Sequence, residues 1–351
     1  MPRPACGGTT GGLDTIGAMT QADDTVQTRW AVLGPGAISR DFVVGLRASR
    51  YGVLHAVGSS SPERAASFAA EHGAAASGTY DEILARDDVD AVYVGTVHTT
   101  HAELAIRALE AGKAVLCEKP ASPTLEEVER ILATAERAQR PFLEGFKTRF
   151  GPFADALRAL VAGGELGPLE RVEGAFGFAA PVHEGRLFDR ALAGGAILDV
   201  GCYPLALAID LAAAAGQPID TPDYRAFEAE LVSGVDGSAS AVIAFGAVTA
   251  AIATSIVEDL PRTAVLQFAD AEVVLPNAWG SRTESSSTLT VRRGGEEQLI
   301  EVPVVQPMAA EADALSLALA EGRLEVPQMP WSHTRAAARV LTDWRAAALA
   351  D

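Results

Sequence analysis

Short apolar runs alternate with helix-period stretches through the first third of the chain. Trp30-Ala31-Val32-Leu33 stops at Gly34 and reads as a buried strand, and a helical pattern follows from Ala37 to about Ala48. Val53–Val57 is a second strand, after which Pro62 sits at a first helical position and opens a helix through Glu71. Ala91–Val94 is a third, following the turn-prone Asp87-Asp88. Thr99 or Thr100 is placed to cap a helix running to Ala111, which Gly112 ends. Ala114–Cys117 is a fourth strand. Thr124-Leu125-Glu126-Glu127 has capping-box spacing and opens a helix to Ala138, and Pro141–Glu144 is a further strand. Strands alternating with helices of this length predict a parallel, doubly wound α/β sheet.

The texture changes after about Gly151. A helix over Pro152–Val161 ends at Gly163-Gly164, and longer β-rich runs follow. These are Leu169–Phe178, Arg225–Val232, Ala239–Ala244, Ala250–Val257, Thr263–Phe268, Glu272–Leu275, Thr288–Arg292 and Gln298–Val302. Asp236-Gly237 between two of them is a hairpin signal. One long helix, Ala196 to about Ala215, interrupts the series, and an amphipathic helix from Ser332 to about Leu349 closes the chain. The pattern divides the chain into a leader (1–28), a doubly wound α/β unit (29–148), an α+β unit with a mostly antiparallel sheet (149–330) and a terminal helix packing on the body (331–351).

Composition narrows the possible functions. Hydrophobic residues make up 48% of the 351, enough for a large core. The net charge of −18 is spread along the chain and repels phosphate backbones and anionic lipid, which argues against nucleic-acid and membrane partners. Cys6, Cys117 and Cys202 are odd in number and widely spaced, so neither a disulfide framework nor a metal site is expected. A reducing, cytoplasmic compartment fits them. No apolar stretch reads as long and uninterrupted enough to span a bilayer. The Gly- and Thr-rich leader carries no hydrophobic signal region and is expected to be a flexible extension.

Four stretches carry chemistry. Gly34-Pro35-Gly36-Ala37-Ile38-Ser39 follows a strand and opens a helix, as a dinucleotide-binding turn does, with Ser39 in place of the third glycine. The second strand is followed not by a carboxylate but by Gly58-Ser59-Ser60-Ser61-Pro62-Glu63-Arg64. Hydroxyls such as Ser60 and the nearby Arg64 suit a 2′-phosphate, which favours NADP over NAD, although Arg64 also reads as a solvated helix residue. Glu118-Lys119-Pro120 places a lysine at the carboxyl end of a buried strand, where ligands of open α/β sheets bind. In Gly194–Leu205, Asp199 and Tyr203 are four apart and share a helix face in a run of small apolar residues. They read either as a substrate-facing pair or as a core tyrosine with a helix-terminal aspartate.

Taken together with Val94–His101 and Glu144–Phe150, these stretches resemble the glucose–fructose oxidoreductase / inositol dehydrogenase / rhizopine-catabolism (Gfo/Idh/MocA) family over about residues 29 to 348. The resemblance implies a Rossmann domain, then a domain with an open, predominantly antiparallel sheet through which dimers or tetramers are built. It implies Tyr203 as general acid or base, Lys119 as a cation that favours the phenolate and binds the same substrate oxygen, and Asp199 as the group that positions them. It implies a cis bond before Pro120. The cofactor would be bound by Gly34, Gly36, Ala37, Ile38, Ser60, Arg64, Thr96, His98, His101, Glu118 and Lys119, with His98 and His101 equally suited to a structural role. Arg149 and Phe176 would stand with Tyr203 on the substrate side.

Inositol-type members carry histidine at the position of Tyr203 and aspartate at that of Ala206, so this chain looks more like the dihydrodiol and sugar dehydrogenase branch. The expected activity is hydride transfer between nicotinamide and a carbinol or carbonyl carbon of a sugar, polyol or trans-dihydrodiol. Phe150, Phe176, Phe178 and Trp279 suit either pocket walls or core packing. Two other functions fit the same motifs: a glycoside-cleaving member that recycles its cofactor, and a non-catalytic dinucleotide sensor.

Overall fold

The computed structural model describes residues 27–350. The leader assigned to residues 1–28 therefore lies outside the described residues except at its end, where Thr28 already belongs to a strand. The first unit runs β1 (Thr28–Leu33), α1 (Ala37–Leu46), β2 (Gly52–Gly58), α2 (Pro62–His72), β3 (Ala76–Gly78), α3 (Tyr80–Leu84), β4 (Ala91–Val94), α4 (His98–Glu110), β5 (Ala114–Glu118), α5 (Leu125–Ala138) and β6 (Phe142–Gly145). Its six strands form one parallel sheet in the order β3-β2-β1-β4-β5-β6. The central strands are covered on both faces, so β4 and β5 are buried throughout and their sequences show no alternation. The chain passes to one side of β1 through β2 and to the other through β4, which opens a crevice at the carboxyl ends of those strands.

Two boundaries differ from the sequence reading. β3 and α3 carry too few residues for a hydrophobic period, although Thr79 and Glu82 make a full capping box. α4 begins at His98 behind Val97, with no side-chain cap, rather than behind Thr99 or Thr100. The Thr100 hydroxyl instead donates back to Thr96 Oγ1 at 2.8 Å.

The second unit begins with a 3-10 turn (Lys147–Arg149), α6 (Pro152–Gly163) and β7 (Leu169–Gly177), then a π-helical turn (Ile197–Gly201) that runs into α7 (Cys202–Ala214). β8 (Asp223–Val232), β9 (Val235–Phe245), β10 (Val248–Ser255), β11 (Ala264–Phe268), β12 (Glu272–Leu275), β13 (Thr288–Arg293) and β14 (Glu296–Glu301) follow. The eight strands order as β14-β13-β12-β11-β7-β10-β9-β8, antiparallel except for β7 with β10. α7 covers one face, over Val172, Ala250, Ile252 and Leu266. Ser240, Val242, Thr249, Ala251, Val265 and Val274 are left half-exposed on the other. The β8–β9 hairpin turns at Ser233-Gly234, both with positive φ, and not at Asp236-Gly237, which lie inside β9.

The stretch ending at Ala214 is long and apolar enough by composition to cross a bilayer, contrary to the sequence reading. Its 18-residue apolar window is 89% buried, as a core helix of the second unit. α8 (Pro307–Ala320) had no sequence signal because it is buried between neighbours and lacks a single apolar stripe. It lies in the stretch assigned to the second unit yet packs on α1 and β5 of the first. α9 (Trp331–Ala348) packs on α5, α7 and β8, joining both units.

Candidate active site

A cleft of about 840 Å³ lies between the carboxyl ends of β1, β4, β5 and β6 and the second sheet. Its floor on the Rossmann side is the β1–α1 turn. Gly34 has φ 89°, and a Cβ there would lie 2.5 Å from Thr96 Cγ2, so no other residue fits. Ser39, in the place of a glycine, donates its hydroxyl to the Gly34 carbonyl at 2.6 Å and holds the turn shut. The N-cap of α1 is Gly36, which offers no side-chain acceptor, and the first turn holds no acidic residue. Its N–H groups are left for an anion, and Gly36, Ala37 and Ile38 line the cleft. These residues fit a dinucleotide pyrophosphate.

The β4 end supplies Thr96, His98 and His101. The His101 ring bridges two turns, with Nδ1 2.9 Å from the Pro120 carbonyl and Nε2 3.2 Å from that of Thr96. Burial lowers the pKa of both imidazoles, His98 to about 3, while the carbonyls of Pro120 and Thr96 oppose the shift at His101. His101 is therefore a tie between the two loops. Glu118, the last residue of β5, is buried and accepts from Tyr93 Oη at 2.8 Å. Burial raises its pKa, against the opposing pull of Lys119 and Tyr93.

Lys119 follows directly, with the Lys119–Pro120 bond cis. Its Nζ donates to the main-chain carbonyl of Asp199 at 2.6 Å and stands 5.0 Å from the Tyr203 ring centroid. Asp199 lies within the π turn, and its carbonyl accepts from Cys202 Sγ at 3.7 Å as well as from the lysine. The Asp199 carboxylate pairs with Arg186, Oδ1–Nη1 3.0 Å. Burial pushes the Asp199 pKa up, but Lys119 and Arg186 outweigh it and hold it below the usual value. Burial likewise pulls Lys119 down, and Tyr203, Cys202 and Asp199 more than reverse it, Asp199 being the one of the three that is charged at neutral pH, so Lys119 stays an ammonium.

Tyr203 is under two opposed effects. Burial raises its pKa, and the opposing effect of Lys119 is smaller, so the free protein holds a neutral phenol. Lys119 faces the ring and the Asp199 carbonyl. Phe176 lies edge-on to Tyr203 with centroids 5.3 Å apart, and stacks on Trp279 at 5.9 Å. Phe178 completes the wall, while Phe150 is buried in the core away from the cleft.

Besides Gly34, which shapes the turn beneath it, three predicted residues stand outside the cleft lining. Arg149 is only 2% exposed and is locked in the interior: it pairs with Asp210 at 2.9 Å and donates to the carbonyls of Ala206 and Gln328. It is a structural arginine joining α7 to the chain before α9, not a substrate contact. Ser60 and Arg64 are exposed beyond the end of β2, beside β1, and neither borders the cleft. Conversely, Lys147, Arg186, Arg262, Asn277, Arg282 and Met308 line it without having been singled out. Lys147 carried a signal, since it follows the buried β6 much as Lys119 follows β5. Arg262 sits in an irregular loop after β10, where no period points to it.

Comparison with known proteins agrees with this geometry. Residues 28–146 match the model of an oxidoreductase family with an NAD-binding Rossmann fold, and residues 154–283 match the GFO/IDH/MocA C-terminal domain. The human trans-1,2-dihydrobenzene-1,2-diol dehydrogenase is 32% identical over 91% of this chain and 96% of its own length. The Xenopus tropicalis enzyme of the same name is 28% identical over 90% and 96%. Among solved structures, the aldose–aldose oxidoreductase of Caulobacter crescentus complexed with glycerol superposes with a TM-score of 0.82 at 25% identity, covering 92% of this chain and 97% of that one. A 3-ketoreductase of Actinomadura kijaniata with NADP and TDP-benzene gives 0.81 at 23% identity, covering 92% and 98%.

Proposed function

The chain belongs to the Gfo/Idh/MocA family of NAD(P)-binding oxidoreductases, and we propose that it oxidises or reduces a carbinol or carbonyl carbon of a sugar, polyol or trans-dihydrodiol. The observation that carries this reading is the meeting of Lys119, from the first unit, with Tyr203, from the second, in the cleft that the Gly36–Ile38 turn also lines. The bound nicotinamide supplies or accepts the hydride. Tyr203 holds the proton of the substrate oxygen: its neutral phenol donates to a carbonyl during reduction and its phenolate takes the proton from a carbinol during oxidation. Lys119 stays charged beside the ring and lowers the cost of that phenolate. Asp199 sets the lysine through its carbonyl and holds Arg186 through its carboxylate. The stacked Phe176 and Trp279 keep water from one side of the reacting carbon.

NADP is the preferred dinucleotide in this reading. The β2 end carries exposed Ser60 and Arg64, and its one nearby carboxylate, Glu63, is turned to the Ser61 hydroxyl at 2.7 Å. The test is absorbance at the nicotinamide band with sugars, polyols and trans-dihydrodiols, run with each dinucleotide. Turnover of a panel member with tighter binding of NADP is the expected result. Dinucleotide binding without turnover of any member defeats the dehydrogenase assignment, and tighter binding of NAD defeats the assignment of Ser60 and Arg64.

A further inference from the structure

Five cations line a cleft in a chain whose net charge is −18. Three have evident occupations. Lys119 holds the Asp199 carbonyl beside Tyr203, Arg186 pairs with Asp199, and Arg282 reaches across to Asp41 on α1 at 2.7 Å. Lys147 and Arg262 differ: among the described residues, their hydrogen bonds go to neutral groups. Lys147 Nζ donates to the Trp279 carbonyl at 2.8 Å, which engages one of its three protons. Arg262 gives Nε to Asn277 Oδ1 at 3.1 Å and Nη2 to the Gly280 carbonyl, leaving Nη1 uncommitted.

Both cations also stand at the reactive end of the cleft. Lys147 Nζ is 5.6 Å from the Tyr203 ring centroid, and Arg262 Cζ is 5.1 Å from that of Phe176, the ring packed edge-on against Tyr203. Burial, with Arg262 as a like-charged neighbour, draws the Lys147 pKa down to about 8. Glu311, whose field opposes the fall of the Lys147 pKa, is buried with its Oε1 unpartnered, and burial together with Glu118 drives its own pKa upward. Among the described residues no carboxylate is in ion-pair contact with Lys147 or Arg262, whose hydrogen bonds go to Trp279, Asn277 and Gly280. Two cations with spare donors and no ion-paired carboxylate, inside a concave site, attract an anionic ligand group and favour it over a neutral one.

We propose that Lys147 and Arg262 form an oxyanion subsite beside Tyr203, so that the substrate carries a carboxylate or a phosphate a few bonds from its reacting carbinol carbon. This rests on the hydride-transfer reading above. It narrows sugars and polyols to sugar acids, hydroxy acids or sugar phosphates, and places the uncharged dihydrodiols among the poor substrates.

The experiment uses the full chain with NADP and matched sets: glucose, glucuronate and glucose 6-phosphate, with the corresponding galactose set. At least one anionic member should exceed its neutral counterpart about tenfold or more in kcat/KM. That advantage should shrink as salt rises from about 0.05 to 0.5 M. Arg262→Gln and Lys147→Gln should each cut the anionic-to-neutral ratio about tenfold, with Arg262→Lys restoring part of it. NADPH fluorescence checks that the variants still bind the dinucleotide. The uronate and phosphate arms separate the two oxyanions. Preferred turnover of a neutral member, or an unchanged ratio in both variants, overturns the subsite and leaves the dehydrogenase assignment standing. Variants that lose NADPH affinity instead of the ratio show that the cations serve the cofactor, which also overturns it. No turnover of any member overturns the subsite, while the wider panel with polyols and trans-dihydrodiols decides the dehydrogenase assignment separately.

Discussion

At the scale of single residues, the site depends on which of two opposed effects on Tyr203 is larger. Lys119 favours the phenolate, burial disfavours it, and burial is the larger effect in the free protein. The same phenol is therefore ready to donate a proton near neutral pH and must lose one before it acts as a base. At saturating substrate, kcat for reduction should accordingly be flat across about pH 6 to 9, whereas kcat for oxidation should still climb with pH above about 9, past where an ordinary histidine base would have levelled off. Tyr203→Phe should remove that climb and lower kcat by roughly 10²–10⁴. An unchanged profile in the variant would assign the proton to another group. Lys119 and Tyr203 were legible from sequence because a lysine after a buried strand and a tyrosine in an apolar helix are both unusual placements. Arg149 misled for another reason: the family resemblance placed it on the substrate side, and only its burial against Asp210 reveals a structural role.

At the scale of elements, the π turn before α7 is the part that aims the chemistry. Gly195 has φ 123°, and a Cβ there would fall 2.1 Å from Asp236 Oδ1. Asp236 in turn accepts from the Ile197 N–H at 2.6 Å, pinning the start of the turn to β9. Gly195→Ala should therefore destabilise the fold by about 2 kcal/mol or more in chemical denaturation, through both the backbone conformation and the clash. A variant as stable as the parent would mean the turn relaxes without cost. The sequence showed the glycine pair and the helix, but it could not show that the helix opens on a π turn. Nor could it show that Asp236 serves that turn rather than a hairpin, because the partner lies 39 residues away. α8 went unseen for a related reason: helices buried between neighbours lose the one-sided stripe by which they are detected.

At the scale of the whole molecule, the eight-stranded sheet leaves one face half-exposed, with Val242, Ala251, Val265 and Val274 among its side chains. A broad sheet face of this kind is suited to a second copy of the chain, and dimers or tetramers built through it are the expected state. Light scattering at micromolar concentration tests this: a mass of one chain rules the assembly out, and Ala251→Arg should split it. The sequence by itself determined the local order. Alternating apolar runs and helices made a parallel sheet, the glycine turn made a dinucleotide site, and the lysine and tyrosine motifs named the family, because these depend on neighbours a few residues apart. Only the tertiary structure decided which charges meet. Lys147 and Arg262 are separated by more than a hundred positions yet line one cleft. Arg149 shares a motif with Lys147 yet turns into the core. Charge interactions act through space and are set by burial, and the linear sequence specifies neither distance nor dielectric.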